Sequence, residues 1–178
     1  NIKILLGGVV QAGDLTMKQR DQLLAEMTDE VGQLVLRDNI LQNQTLSMSQ
    51  ALAPQQLEAQ ARLIRKLEGR GQLDRAIELL PSDAAIAERR KAGQGLTRPE
   101  AAVVMAYAKM TLYADLLRTE LPDRKYFLAD LRKYFPRPLR KRFHEAIERH
   151  RLRREIVATW LANSIVNRGL DVFVSELE

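Results

Sequence analysis

The chain has 178 residues, 46% apolar and 29% charged, with a net charge of +5. That is about one ordinary domain, long enough to bury roughly 70% of its unfolded surface. With 9 Gly, 6 Pro and no Cys, collagen-like, linker-like and low-complexity classes are excluded, along with disulfide frameworks, thiolate metal sites and a cysteine nucleophile.

The residues Ile2, Leu5, Leu6, Val9 and Val10 recur at the spacing of one helix face, with Gly13 placed for a left-handed C-terminal cap. Thr16 and Gln19 form a capping box for a second helix with Leu23, Leu24 and Met27 inside. A third helix, re-capped at Thr28, puts Val31, Leu34, Val35 and Ile40 inward and fades near residues 46–53. Pro54 opens a fourth that runs to Gly69 on Leu57, Ala61, Ile64 and Leu67. Asp74 to Leu80 reads as a brief helix stopped by Pro81, and Ser82 caps another that carries Ile86 until Gly93 and Gly95.

Thr97-Arg98-Pro99-Glu100 is the strongest helix start in the chain, a capping box with proline in the first turn. The residues that follow, Ala101 to Leu117, are apolar except for Lys109, Thr111 and Asp115, which predicts a helix near 98–120 that is central and buried. Seventeen residues interrupted by a lysine fall short of the roughly 20 that a bilayer requires, so a membrane span is rejected. Asp123 to Tyr134 forms a further helix, and Pro136 and Pro138 enforce a corner. A long last helix near 139–168 is then expected, with Gly169 as its stop and Leu170 to Leu177 as a tail. Its stripe of Leu139, Phe143, Ala146, Ile147, Val157, Leu161 and Ile165 also contains His150 and Arg154. Either this helix bends between Arg149 and Arg153, or the two polar groups are partly buried and need partners. The 28 Leu and 20 Ala against 10 Val, 9 Ile and 7 Thr agree with these elements, because unbranched side chains lose little rotamer freedom in helices. The expected fold is an all-α, irregular multi-helix bundle in one domain over 1–178, with a hinge near 93–96.

Charge is unevenly spread. Residues 132–154 hold ten Lys or Arg against two acids, a local +8 that leaves −3 for the remainder. This segment, with Arg140, Lys141, Arg142, Arg149, Arg151 and Arg153 interleaved with Tyr134, Phe135 and Phe143, is a polyanion or partner surface in one reading. In the other it is the solvated face of a helix, with Phe143 in the core stripe. No catalytic, cofactor-binding or metal-ligating residue is identified. Gly7-Gly8 and Gly13 do not fit a Gly-x-Gly-x-x-Gly turn. His144 and His150, six apart, lie about 120° from each other on one helix and cannot share an ion without a break. Glu145 and Glu148 have arginines at ion-pair spacing and read as salt bridges. His150, Arg154 and Lys109 are the polar groups expected inside the core.

Several strings resemble the C-terminal part of the large bacterial NAD-dependent glutamate dehydrogenases. They are Asn1 to Leu6, Gly13 to Thr16, Glu26 to Val31, Leu36 to Asn39, Gly95 to Glu100, Tyr134 to Pro136, Glu148 to Ile156 and Asn163 to Arg168, in the family's order along nearly the whole chain. The resemblance implies a parent chain that oxidatively deaminates L-glutamate to 2-oxoglutarate and ammonia with NAD. It places the family's glutamate-binding lysines, catalytic acid and nucleotide-binding glycines upstream, so none is carried onto this sequence, and no cofactor is expected on this stretch. Ile2 to Val10 becomes the helix leaving the catalytic core, although Gly7 stands where the family pattern leads one to expect a polar residue. The implied role is non-catalytic, in structure, assembly or regulation, with the upstream catalytic domain as partner, a homo-oligomer as the assembly and the cytoplasm as location. Position 1 is Asn, and Ile2 to Val10 lacks a cleavage pattern, so the chain reads as an excised fragment and not as one opening on a secretory signal. The alternative is a stand-alone helical module that binds nucleic acid or another polyanion through 132–154.

Overall fold

The computed structural model describes residues 1–169; Gly169 is the last described residue of the final helix, and the expected tail at Leu170 to Leu177 lies outside what is described. The described residues form ten helices and no strands: α1 (Ile2–Gln11), α2 (Met17–Glu26), α3 (Thr28–Ala51), α4 (Ala53–Gly69), α5 (Asp83–Lys91), α6 (Arg98–Leu117), α7 (Leu128–Tyr134), α8 (Arg137–Arg142), α9 (His144–Glu148) and α10 (Arg153–Gly169). Two 3-10 turns, Leu121–Asp123 and Lys125–Phe127, precede α7. The all-α class follows from the composition and the helix-period pattern, as expected.

Local signals account for most element ends. Gly13 has φ +84° just past α1, a conformation open to glycine at no steric cost. The Thr16 hydroxyl accepts from the N–H of Gln19 while the Gln19 side chain accepts from the N–H of Thr16, a complete capping box on α2. Ser82 accepts from the N–H of Ala85 at the start of α5. Glu100 accepts from the N–H of Thr97 at 2.7 Å where α6 begins.

Residues Asn1–Asn39 and Asp115–Leu161 form one compact unit, and Ile40–Ala114 with α10 from Ala162 onward form another. The first is built on Leu5, Leu6, Val9, Leu23, Met27, Leu131, Phe135, Leu139, Phe143, Ile147 and Val157, all buried. The second is built on Leu57, Ala61, Leu63, Ile64, Leu67, Ile86, Leu96, Val104 and Ala108. It also holds a buried polar seam, in which the Ser49 hydroxyl of α3 donates to Gln56 of α4 and accepts from Gln60.

Five elements depart from the sequence reading. Residues 139–168 are not one helix: the chain breaks after α8 and again at 149–152, the second break falling where a bend between Arg149 and Arg153 was one of the two expectations. The second break has a clear cause, because the N–H of Leu152 donates to Nδ1 of His150 at 3.0 Å instead of to the carbonyl four residues back. Asp74 to Leu80 is a run of turns and not a helix, with the Asp74 carboxylate taking the N–H groups of Ala76 and Ile77. Asp123 to Tyr134 becomes two 3-10 turns followed by a shorter helix. In α3 the Thr28 hydroxyl donates back to the Leu24 carbonyl and caps nothing. That helix continues to Ala51, and Val35 and Ile40 are 56% and 48% exposed where the pattern placed them inward. In α6, Ala101, Val104, Met105, Ala108, Thr111, Leu112 and Leu116 are buried, but Met110 is 54% exposed. The helix thus buries one face and is not enclosed on all sides.

Candidate functional site

The polar groups that hold this helical scaffold together concentrate where the expected last helix breaks. His150 is 4% exposed, and its ring packs against Phe135 with centroids 5.6 Å apart. Nδ1 accepts from the N–H of Leu152, so Nε2 carries the proton and donates to the Asn1 carbonyl at 3.1 Å. Burial pushes the imidazole below its ordinary range, against the opposing pull of the Asn1 hydrogen bond. The Asn1 amide in turn donates to the Tyr134 hydroxyl at 2.7 Å. The start of α1 is therefore tied to the end of α7 and to the break before α10.

Arg154 is not buried, its side chain being 39% exposed. The reason lies in its partners, since it donates to the Leu117 and Thr119 carbonyls at 2.9 and 3.0 Å and pairs with Asp123. These carbonyls lie at the end of α6, where a helix leaves its last acceptors without intrahelical partners. Asp123 also accepts from Arg153 at 2.8 Å, and the Arg153 bond, backed by the charges of both arginines, lowers its pKa. Lys109 is half-buried and not enclosed, since it stands on α6 beside the exposed Met110 and Ala106.

The basic segment is mostly engaged within the molecule. Arg140 donates to the Phe135 and Lys133 carbonyls at 2.6 and 3.0 Å, closing the end of α7. Arg142 lies over the Phe143 ring, 5.0 Å from its centroid. Arg149 pairs with Glu145 at 2.5 Å, Arg132 with Glu148 through Nε at 2.9 Å, and Arg153 with Asp123. Lys141 and Arg151 are exposed. Glu145 and Glu148 are salt-bridge partners in this arrangement, and the Arg132 bond holds Glu148 below the usual carboxylate range.

Sequence reasoning missed two other constellations. Arg89 is bidentate to Glu100, at 2.6 and 2.9 Å. Burial opposes ionisation of Glu100, but Arg89 and the Thr97 bonds together outweigh it and lower its pKa. A cleft of about 490 Å³ beside Glu68, Leu73, Asp74, Arg75 and Leu80 is the second. Its Arg75 donates through its terminal nitrogens to Glu68, Asp83 and the Pro81 carbonyl, while its buried Nε meets no partner. Among the described residues no group of three His, Asp or Glu could hold a metal ion. None of their helices is long and apolar enough to cross a membrane.

Two family models match the chain. "Bacterial NAD-glutamate dehydrogenase, catalytic domain" matches residues 1–49 and "Glutamate dehydrogenase, C-terminal" matches residues 93–178. The catalytic-domain description therefore reaches well past Ile2 to Val10. The chain is 51% identical over 178 residues to an NAD-specific glutamate dehydrogenase of Pseudomonas aeruginosa, covering 100% of this chain and 11% of that protein. It is 46% identical over 177 residues to one of Halomonas elongata (99% and 11%) and 47% identical over 167 to one of Mycobacterium tuberculosis (94% and 10%). It spans about a tenth of the length of these relatives. A chain that matches these relatives along 94–100% of its own length, and that matches the catalytic model first and the C-terminal model after it, belongs to the bacterial NAD-specific glutamate dehydrogenases as a C-terminal part of such an enzyme.

Proposed function

We propose that this chain serves an enzyme that oxidatively deaminates L-glutamate to 2-oxoglutarate and ammonia with NAD, and that its own part is a non-catalytic brace. The observation that carries this reading is the composition of the first compact unit. Residues Asn1–Asn39, which match the catalytic-domain model, are packed in it with Asp115–Leu161 from the C-terminal match. The buried side chains of α1 and α9 meet there, and the His150 to Asn1 bond adds a directional tie. The polar constellations are committed to carbonyls and ion pairs, which is the chemistry of a scaffold. In this reading NAD binds upstream, the described helices hold no cofactor, and the enzyme is a cytoplasmic homo-oligomer.

The test is glutamate-dependent NADH formation by the intact polypeptide, by the 178-residue chain, and by an intact Arg154→Ala variant. Activity is expected in the intact polypeptide only. The variant should keep its kcat/KM at low temperature and lose activity several degrees earlier on heating, because the α6 carbonyls lose a charged donor worth about 1–2 kcal/mol. An intact polypeptide without activity defeats the enzymatic reading. A variant with unchanged heat resistance but reduced kcat defeats the brace.

A further inference from the structure

We infer that the turn at 74–80 and the cleft beside it form a self-complementary contact between two copies of this chain, the Ile77 and Leu79 side chains of each entering the cleft of the other. The inference rests on the reading of the enzyme as a homo-oligomer and names a surface that assembles it. Turn and cleft lie within one compact unit. Ile77 and Leu79 are 76 and 83% exposed, more than any other large aliphatic side chain among the described residues. Leu79 is also held at φ +54°, a left-handed conformation that strains a leucine and leaves a glycine at ease. Glycine would close the same turn without strain. Leucine instead keeps a large apolar side chain in solvent at a cost in backbone energy, and such outliers gather at binding and switching sites.

The turn presents the two side chains in fixed positions. The Asp74 carboxylate accepts from the N–H groups of Ala76 and Ile77, the Leu80 N–H reaches the Arg75 carbonyl at 3.0 Å, and the Tyr107 hydroxyl of α6 donates to Glu78 at 2.7 Å. A protrusion ordered before contact loses little conformational entropy on binding. The recess adjoins the same turn. Leu73, Ala76 and Leu80 give its cleft of about 490 Å³ an apolar lining beside Glu68, Asp74 and Arg75, a volume in the range of pockets that enclose small apolar ligands. Protrusion and recess on one patch are what a two-fold contact requires, because each copy then offers its partner what the partner offers in return. Any other occupant would need a matching pair of its own, whereas a second copy carries both. Glu68 and Asp83 are paired with Arg75 and Arg65, which limits like-charge repulsion between the copies.

The test uses the full-length enzyme with p-benzoylphenylalanine in place of Ile77. Irradiation should give a product of doubled mass on a denaturing gel, its link mapping by mass spectrometry to residues 68–82 of the second chain. A doubled product linked elsewhere, a link within one chain, or no product would overturn the inference. A second protein carries Leu79→Gly, which relieves the turn and so spares the fold, together with Ile77→Ser. In sedimentation velocity its concentration of half-dissociation should rise at least tenfold, and an unchanged value would also overturn the contact. Glutamate-dependent NADH formation by the unsubstituted protein is measured beside both. An inactive protein that gives the doubled product removes the dehydrogenase reading and keeps the contact, and an active protein without it does the reverse.

Discussion

His150 carries the tautomer that its two partners demand. Protonation at Nδ1 would set an N–H against the N–H of Leu152 and break the bond that terminates the helix there. Because burial lowers the folded-state pKa from the ordinary 6.5, the unfolded chain binds the proton more readily than the folded one. The contribution of His150 is therefore complete above pH 6.5 and is lost as pH falls through the lower folded value. Of the charged side chains that act on the ring, Arg151 lowers its pKa and Glu155 raises it. Melting curves between pH 7.5 and 5 should show a larger drop for the wild type than for His150→Gln, which keeps a donor and an acceptor but does not titrate. Equal drops would remove the imidazole as the source. The sequence placed His150 and Arg154 on the core stripe and offered a bend between Arg149 and Arg153, or partial burial with partners, as alternatives, but it could not show that the helix would break at His150. Nor could it show that the part-buried Arg154 would close the end of α6.

At the scale of elements, two glycines separate helix cost from packing need. Gly8 lies in the interior of α1, where an added Cβ meets nothing within 4 Å. Gly8→Ala is expected to stabilise the chain by about 0.5–1 kcal/mol through helix propensity. At Gly95 an added Cβ would stand 2.3 Å from the backbone carbon and oxygen of Ala53. Gly95→Ala should therefore destabilise by about 1–3 kcal/mol as the backbone shifts, and urea titration of both variants reads the opposite signs. Apolar periodicity exposed the helices with apolar inner faces, such as α1 and α4, because burial there is hydrophobic. It failed along α3, whose buried residues are Thr45 and Ser49 and whose aliphatics lie outside. A hydrophobicity pattern cannot show a face buried through hydrogen bonds, such as those of Ser49 with Gln56 and Gln60 of α4. The turn at 74–80 escaped for another reason: Asp74 caps its start as it would a helix, but Leu79, at φ +54°, and the bond from the Leu80 N–H to the Arg75 carbonyl close it after a single turn.

For the molecule as a whole, all-α architecture and family were legible from composition, helix starts and a few specific strings. The grouping of the chain was not, because packing Asn1–Asn39 with Asp115–Leu161 joins segments far apart in sequence. The basic run from 132 to 154 illustrates the same limit. Its net charge is visible in sequence, whereas the carbonyls of Lys133, Phe135, Leu117 and Thr119 that occupy Arg140 and Arg154 are tertiary facts. The central claim is that the C-terminal segment braces the catalytic-domain helices as one cooperative body. Native-state hydrogen exchange on the intact protein, at increasing denaturant, tests it most directly. The amides of Leu5, Leu6 and Val9 in α1 should open with the same free energy and the same denaturant slope as those of Ile147 and Val157. Independent opening of α9 and α10, with α1 still protected, would contradict the account.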